Sequence, residues 1–160
     1  MNFTISALAQ SLADYLAPYF PGVSFYANPN QQGTKLPCMF LQNRGGEIRL
    51  RQAGRWLKTV RLDLVYLLAY NRPDLQSEYE AAAETLDEIM ELFPYVCAGR
   101  KTLLRTHNRT YDIEPDALHY KFDLQLWVTK AMAEPFMQDL TTNLEVIEYG
   151  EKYGKKQKQC

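Results

Sequence analysis

An alternation of apolar and polar side chains across residues 101–130 is the most regular pattern in this chain. A tight turn at residues 114–117 divides the segment, and its second half alternates almost without interruption. Since successive side chains of a strand point to opposite faces, the pattern predicts a long antiparallel hairpin with one buried and one exposed face. The predicted buried positions are Leu118, Tyr120, Phe122, Leu124, Leu126 and Val128, and the exposed ones are His119, Lys121, Asp123, Gln125, Trp127 and Thr129.

Length, charge and cysteine content limit the class of protein. With 160 residues and 46% hydrophobic content, the chain can form one domain with a substantial core. A formal net charge of −1 gives no general attraction for nucleic acid or membranes. Cys38, Cys97 and Cys160 form no CxxC or Cys/His pattern, which argues against a disulfide framework or zinc site and favours synthesis in a reducing cytosol.

No segment indicates export or membrane insertion. The N-terminus lacks the basic and then apolar layout of a signal peptide. The longest apolar run, at residues 64–70, is too short to span a bilayer. We therefore expect a protein that is neither exported by a signal nor embedded in a membrane.

Two amphipathic helices are predicted, one on each side of a second hairpin. The first follows the N-cap Thr4, and the second follows Pro73-Asp74 with an apolar stripe that continues to Phe93. Between them, residues 23–27 predict a short strand, and residues 38–51 and 55–70 predict two long strands with a bulge at Gly45-Gly46.

This order of elements predicts an α+β fold. Its antiparallel or mixed sheet is built from two long hairpins, with both helices packed on one face. We expect this domain to cover residues 1–130 and a C-terminal arm, with a basic and disordered end, to cover residues 131–160. The arm carries an apolar stripe that predicts docking on another surface: Phe136, Met137, Leu140, Leu144 and Ile147.

Charge is unevenly distributed along the chain. No basic residue lies between Arg72 and Arg100, so the second helix has an acidic outer face. A basic hairpin could contact phosphates and stack on a base, or it could pair with an acidic surface on another copy, such as residues 84–91. Its residues are Arg44, Arg49, Arg51, Arg55, Trp56, Lys58 and Arg61.

Catalytic, cofactor and metal sites are not indicated by any motif. His107 and His119 lie near acidic residues in sequence, but no HxH, HExxH, GxSxG, GxxxxGK or GxGxxG unit occurs. The sequence predicts no catalytic residue, no cofactor and no metal ligand. A hydrolase built on either histidine is left as the enzymatic alternative.

The chain contains LLRTHNRTYDI at residues 103–113, DALHYKF at residues 116–122, and MQDL at residues 137–140 followed by Leu144-Glu145. These three segments resemble the phage tail terminator family. The chain departs from the family pattern where Thr106-His107-Asn108 replaces a glycine-containing version, where Asp116-Ala117 replaces Asp-Gly, and where the late motif is stretched. The resemblance extends over residues 1–147.

The resemblance implies a structural protein without enzymatic activity. Such a protein forms a ring, commonly of six copies, on the head-proximal end of a tail tube, where it ends tube polymerisation and provides the head-attachment surface. Its implied partners are further copies of itself, the tail tube protein, the head–tail connector and, in a contractile or bacteriocin-like particle, the sheath. No cofactor, membrane or specific nucleic acid is implied, with DNA able to pass through the ring. The protein would be made in the bacterial host cytoplasm and reside in the particle tail.

Exposure and charge, rather than family motifs, select the candidate contact residues. For contact with a neighbouring subunit or the tube they are Arg44, Arg49, Arg51, Arg55, Trp56 and Lys58, and for the exposed sheet face His119, Lys121, Asp123, Gln125 and Trp127. Exposed tryptophans on long strands favour burial in an oligomer. Another head–tail connector or tail-completion protein, and a nucleic-acid-binding module, are the open alternatives.

Overall fold

The computed structural model describes residues 3–27 and 34–129. It confirms the predicted α+β fold, with two helices and a mixed six-stranded sheet. The predicted boundary at residue 130 and the arm residues Phe136–Ile147 lie outside the described residues. The elements are α1 (Ile5–Leu16), β1 (Ser24–Tyr26), β2 (Cys38–Leu50), a 3-10 turn (Gln52–Gly54), β3 (Arg55–Leu67), α2 (Leu75–Ile89), β4 (Leu92–Cys97), β5 (Arg100–Glu114) and β6 (Ala117–Thr129).

The two predicted hairpins lie side by side in one sheet of order β1-β2-β3-β6-β5-β4. The pair β1–β2 is parallel, whereas β2–β3, β4–β5 and β5–β6 are antiparallel. Arg55 at the start of β3 contacts Trp127 near the end of β6, and Asp63 later in β3 contacts His119 near the start of β6. The two central strands are therefore antiparallel. The second strand of each hairpin therefore lies at the centre of the sheet.

One strand was not predicted. The apolar stripe of the second helix was expected to reach Phe93, but α2 ends at Ile89 and Phe93 lies in β4, opposite Leu104. Its side chain is fully buried in this position. Because Pro94 cannot continue a helix and is tolerated on an edge strand, the chain changes conformation at this point.

The core fills the space between the helices and one face of the sheet. On β6 the predicted alternation is confirmed: Leu118, Tyr120, Phe122, Leu124 and Leu126 are buried. The helices contribute Leu8, Leu12 and Leu16 from α1 and Tyr79, Ala82, Ala83 and Leu86 from α2.

Polar side chains fix α2 against β5 and β6. Tyr120 donates a hydrogen bond from its hydroxyl to Asp87 Oδ1 at 2.7 Å, and Arg109 donates to the Asp87 carbonyl at 2.8 Å. Thr106 donates to the Met90 carbonyl at 2.6 Å. These bonds set the position of the acidic helix face beside β5.

Both hairpins contain a bulge. The predicted bulge in the first is confirmed by a shift of register between Asn43 and Gly46. A Cβ at Gly46 would lie 2.4 Å from the Thr59 carbonyl oxygen, so a side chain cannot be placed there without moving the strands. The second bulge, between His107 and Thr110, was not predicted, and Asn108 adopts a positive φ of 52° in it.

Candidate interaction surface

We call the side of the sheet opposite the core the outer face. The predicted exposed residues of β6 lie on it, but they differ in exposure. His119, Lys121 and Asp123 are partly buried, whereas Gln125 and Trp127 are exposed, with Trp127 retaining 52% of its accessible surface. The outer face is therefore most accessible towards the end of β6.

A buried carboxylate lies at the centre of the outer face. Asp63 on β3 is 3% exposed, and its Oδ2 lies 2.9 Å from His119 Nδ1. Because a carboxylate accepts and does not donate, this contact places a proton on Nδ1. The other ring nitrogen of His119 lies 3.7 Å from Glu114 Oε1, and Asp63 Oδ1 has no hydrogen-bond partner within the described part of the chain.

Sequence reasoning selected His119 as a surface residue and overlooked Asp63. The available signal was a charged residue between Leu62 and Leu64 in a strand that is apolar on both faces towards its end. A carboxylate in such a place needs a partner, since burial of an unpaired charge is costly. The sequence did not reveal that the partner would come from β6.

Cross-strand side-chain contacts bind two further carboxylates of the outer face near this centre, one by an ion pair and one by a neutral hydrogen-bond donor. Lys121 donates to Asp112 at 2.6 Å, and Asn108 donates to Asp123 at 2.9 Å. The hydrogen bond and charge of Lys121 lower the pKa of Asp112, and the charges of His119 and Arg44 act in the same direction.

The predicted basic hairpin does not form one basic patch. Arg49 and Arg61 both pair with Glu47, and the Arg61–Glu47 distance is 3.0 Å. On the opposite side of the hairpin, Lys58 Nζ lies 5.6 Å from the centre of the Phe3 ring. Because successive residues alternate between faces, Trp56 and Lys58 project away from the side that carries Arg55.

The structure brings together residues from the two predicted sets. The Arg55 guanidinium carbon lies 4.6 Å from the centre of the Trp127 ring, a cation–π contact that links the start of β3 to the end of β6. Arg44 and Arg51 are exposed and form no ion pair with any described residue.

A groove of about 440 Å³ lies between α1 and the β1–β2 edge. Its walls are largely apolar, with Phe25, Met39 and Leu41 among them, and Tyr26 is the only titratable side chain among the described residues that line it. Within residues 3–27 and 34–129, no three His, Cys, Asp or Glu side chains converge as a metal site. No helix in the same ranges is long and apolar enough to cross a membrane.

A family model described as phage tail terminator protein matches residues 7–135, which include all six strands and α2. The chain belongs to the phage tail terminator family. The match confirms the resemblance to this family, and it includes two of the three segments that suggested it, residues 103–113 and 116–122. Comparison with curated proteins finds no match to this terminator chain.

Membership of the terminator family establishes the general role of the protein. It is a structural component of a phage tail, located in the virion tail, and it interacts with other tail proteins.

Proposed function

We propose that this terminator forms a closed ring of six copies on the head-proximal end of the tail tube. The ring ends tube polymerisation and provides the surface to which the head attaches. The observation that carries this proposal is the family match over residues 7–135, because it spans both hairpins and the outer face they build.

The proposed mechanism is physical and needs no covalent step. Each copy binds the last ring of the tube through a complementary surface. Its opposite side does not reproduce the surface to which tube subunits add, so no further tube subunit can bind. Contacts between unlike surfaces of neighbouring copies close into a ring when the rotation between copies is right. The surface that contacts the tube must then present groups that have no complete set of partners within one copy.

Arg55 and Trp127 are the strongest candidates for contact with the tube. They come from different hairpins and meet at one end of the outer face, where Trp127 is half exposed. Tryptophan and arginine are the residue types that most often dominate the binding energy of interfaces. Gln125 is exposed on the same strand and extends this candidate surface.

The remaining predicted partners belong to the same proposal. In a contractile or bacteriocin-like particle the sheath would contact the ring, with Phe136, Met137, Leu140, Leu144 and Ile147 as the docking stripe of the arm. The head–tail connector would bind the opposite side of the ring, and DNA could pass through it without specific recognition. The pairing of Arg49 and Arg61 with Glu47 supports this assignment over a nucleic-acid-binding module.

Deletion of the protein from the gene set of the particle tests the proposal. We expect over-long tubes by electron microscopy, because nothing stops polymerisation. Tubes of normal length without heads would instead identify a connector. Complementation with Trp127→Ala should leave tubes over-long, whereas Tyr70→Ala, which changes an exposed tyrosine away from the sheet, should restore normal length.

A further inference from the structure

Basic and acidic residues of this protein are separated along the chain. Residues 44–61 contain six basic residues and one acidic residue, whereas residues 73–99 contain seven acidic residues and no basic one. The formal net charge of the whole chain is −1. The molecule is therefore close to neutral overall, but one segment has an excess of positive charge and another has an excess of negative charge.

Two basic residues without an ion-pair partner among the described residues lie on β2 or directly after it. The neighbouring strand β1 pairs only with Cys38–Phe40, so the rest of this β2 edge has no strand partner in the part of the chain that the structure describes. Arg51 is exposed directly after β2, and Arg44 is exposed in the bulge of β2, from which its charge also acts on Asp112. Ile48 and Leu50 of β2 retain 43% and 59% of their accessible surface. We call these four residues the basic flank.

The acidic surface lies on α2, which packs beside β5 at the other side of the sheet. Most of its acids have partners within the chain: Arg72 binds Glu78, Gln76 binds Glu80, Tyr120 binds Asp87 and Arg105 binds Glu91. Glu84 and Glu88 are exposed and make no hydrogen bond or ion pair with described residues. We call these two residues the acidic flank.

The spacing of the two glutamates makes the acidic flank a favourable binding surface for a positively charged group. Glu84 and Glu88 are four residues apart on one helix, so they face the same direction and repel each other. The adjoining edge of β5 is also open, because β4 pairs only with Arg100–Arg105. Residues 107–114 of β5 thus have no partner on that side among the described strands.

We propose that the basic flank of one copy binds the acidic flank of the next copy, and that this contact repeats around the ring. The inference rests on the proposed ring function. Two basic flanks repel each other, and so do two acidic flanks, which disfavours a symmetric dimer through either one. Charged residues on an open strand edge likewise prevent pairing of β2 with β2 of another copy. Contacts between unlike flanks generate a closed ring.

Charge reversal tests the contact. Arg44→Glu with Arg51→Glu, and separately Glu84→Arg with Glu88→Arg, should each weaken association between copies about 100-fold, because like charges then meet. Mixing the two variants should restore rings in which the two alternate, as should one chain carrying all four changes. Native mass spectrometry measures the rings, with and without purified tubes.

The matched control is Arg100→Glu with Lys101→Glu. These residues are exposed and basic, lie at the β4–β5 turn, and form no ion pair with described residues, so their reversal should leave the rings intact. Each variant should keep a wild-type circular dichroism spectrum, which shows that it is folded. Rings that still form after reversal of one flank would contradict the proposed contact. Failure of the four combined changes to restore the rings would contradict it as well.

The salt response of the unmodified chain provides a test that does not depend on how the variants fold. Ring association should weaken steeply as salt is raised, since exposed charges are screened. Rings that are insensitive to salt would overturn the contact and leave the capping function standing. Normal tube length in particles that lack the protein would overturn the proposed function itself.

Discussion

Removal of the His119 imidazole should destabilise the protein more than removal of the carboxylate that it contacts. Among the described residues, His119 provides the one hydrogen bond of the Asp63 side chain, at 2.9 Å, and this side chain is 5% exposed. The variant His119→Ala leaves a charged carboxylate buried with neither oxygen bonded. Breaking a buried pair in this way costs about 3–5 kcal/mol, and partial entry of water beside the exposed side of His119 lowers the expected loss to about 2–4 kcal/mol.

The reverse variant, Asp63→Val, removes the buried charge itself. A β-branched side chain suits a strand, and His119 remains partly exposed, so its ring can bond water or approach Glu114. We expect a loss of about 1 kcal/mol or less. The double variant should resemble Asp63→Val alone, so the coupling between the two positions equals the loss of His119→Ala, about 2–4 kcal/mol.

Urea unfolding at a protein concentration that disfavours association measures these losses, with the slope m required to stay constant. His107→Ala is the matched control, because His107 is also a partly buried histidine of the second hairpin, but its side chain makes no hydrogen bond with a described residue. It should change the free energy of unfolding by about 0.5 kcal/mol or less. If His119→Ala costs no more than the control, the carboxylate is stabilised by another group and the reasoning fails.

Three further predictions concern the hairpins and the helix α2. Gly46→Ala should lower the free energy of unfolding by about 1–3 kcal/mol in the same urea assay, because its Cβ would meet the Thr59 carbonyl oxygen at 2.4 Å. Burial and the bond to Asp87 raise the pKa of Tyr120 above its ordinary 10.0, so stability should hold below pH 10 and fall as pH rises beyond it, less steeply in Tyr120→Phe. The unmodified protein should show no salt-sensitive retention of DNA in filter binding, and retention that Arg49→Glu, Arg51→Glu and Arg55→Glu abolish together would restore the nucleic-acid alternative.

Periodicity was sufficient to predict both helices and five of the six strands of this fold. The alternation along β6 correctly assigned alternate side chains from Leu118 to Leu126 to the core face, although His119, Lys121 and Asp123 on the other face are partly buried and Val128 is only half-buried. The glycine pair at residues 45–46 correctly marked a bulge. The assignment of Phe93 to the second helix was wrong, because a buried aromatic residue fits the apolar stripe of a helix and the buried face of a strand equally well. The proline that follows was a signal for the end of the helix but did not distinguish a loop from an edge strand.

The interaction surface was less predictable because it depends on which strands are neighbours. Arg55 meets Trp127, and Asp63 meets His119, only because β3 lies beside β6. Sequence patterns reveal the face to which a side chain points, but not the strand that pairs with it at long range. The basic hairpin was therefore treated as one surface, although Glu47 neutralises part of it and Lys58 lies on its other side.

Two regions of the outer face differ in what we expect them to contribute. The centre stabilises the isolated fold, and the end of β6 is the region available to a partner. At the centre, His119 donates a hydrogen bond to Asp63 and Lys121 pairs with Asp112, and groups that already have a partner within the chain gain little from another one. At the end of β6, the Arg55–Trp127 contact contributes only about 0.5–1 kcal/mol while Trp127 stays half exposed. A large aromatic ring left so accessible gains more free energy when a partner buries it than it supplies to the isolated fold. We therefore expect the binding energy to be concentrated at the end of the sheet, next to a centre in which the Asp63–His119 contact links the two hairpins.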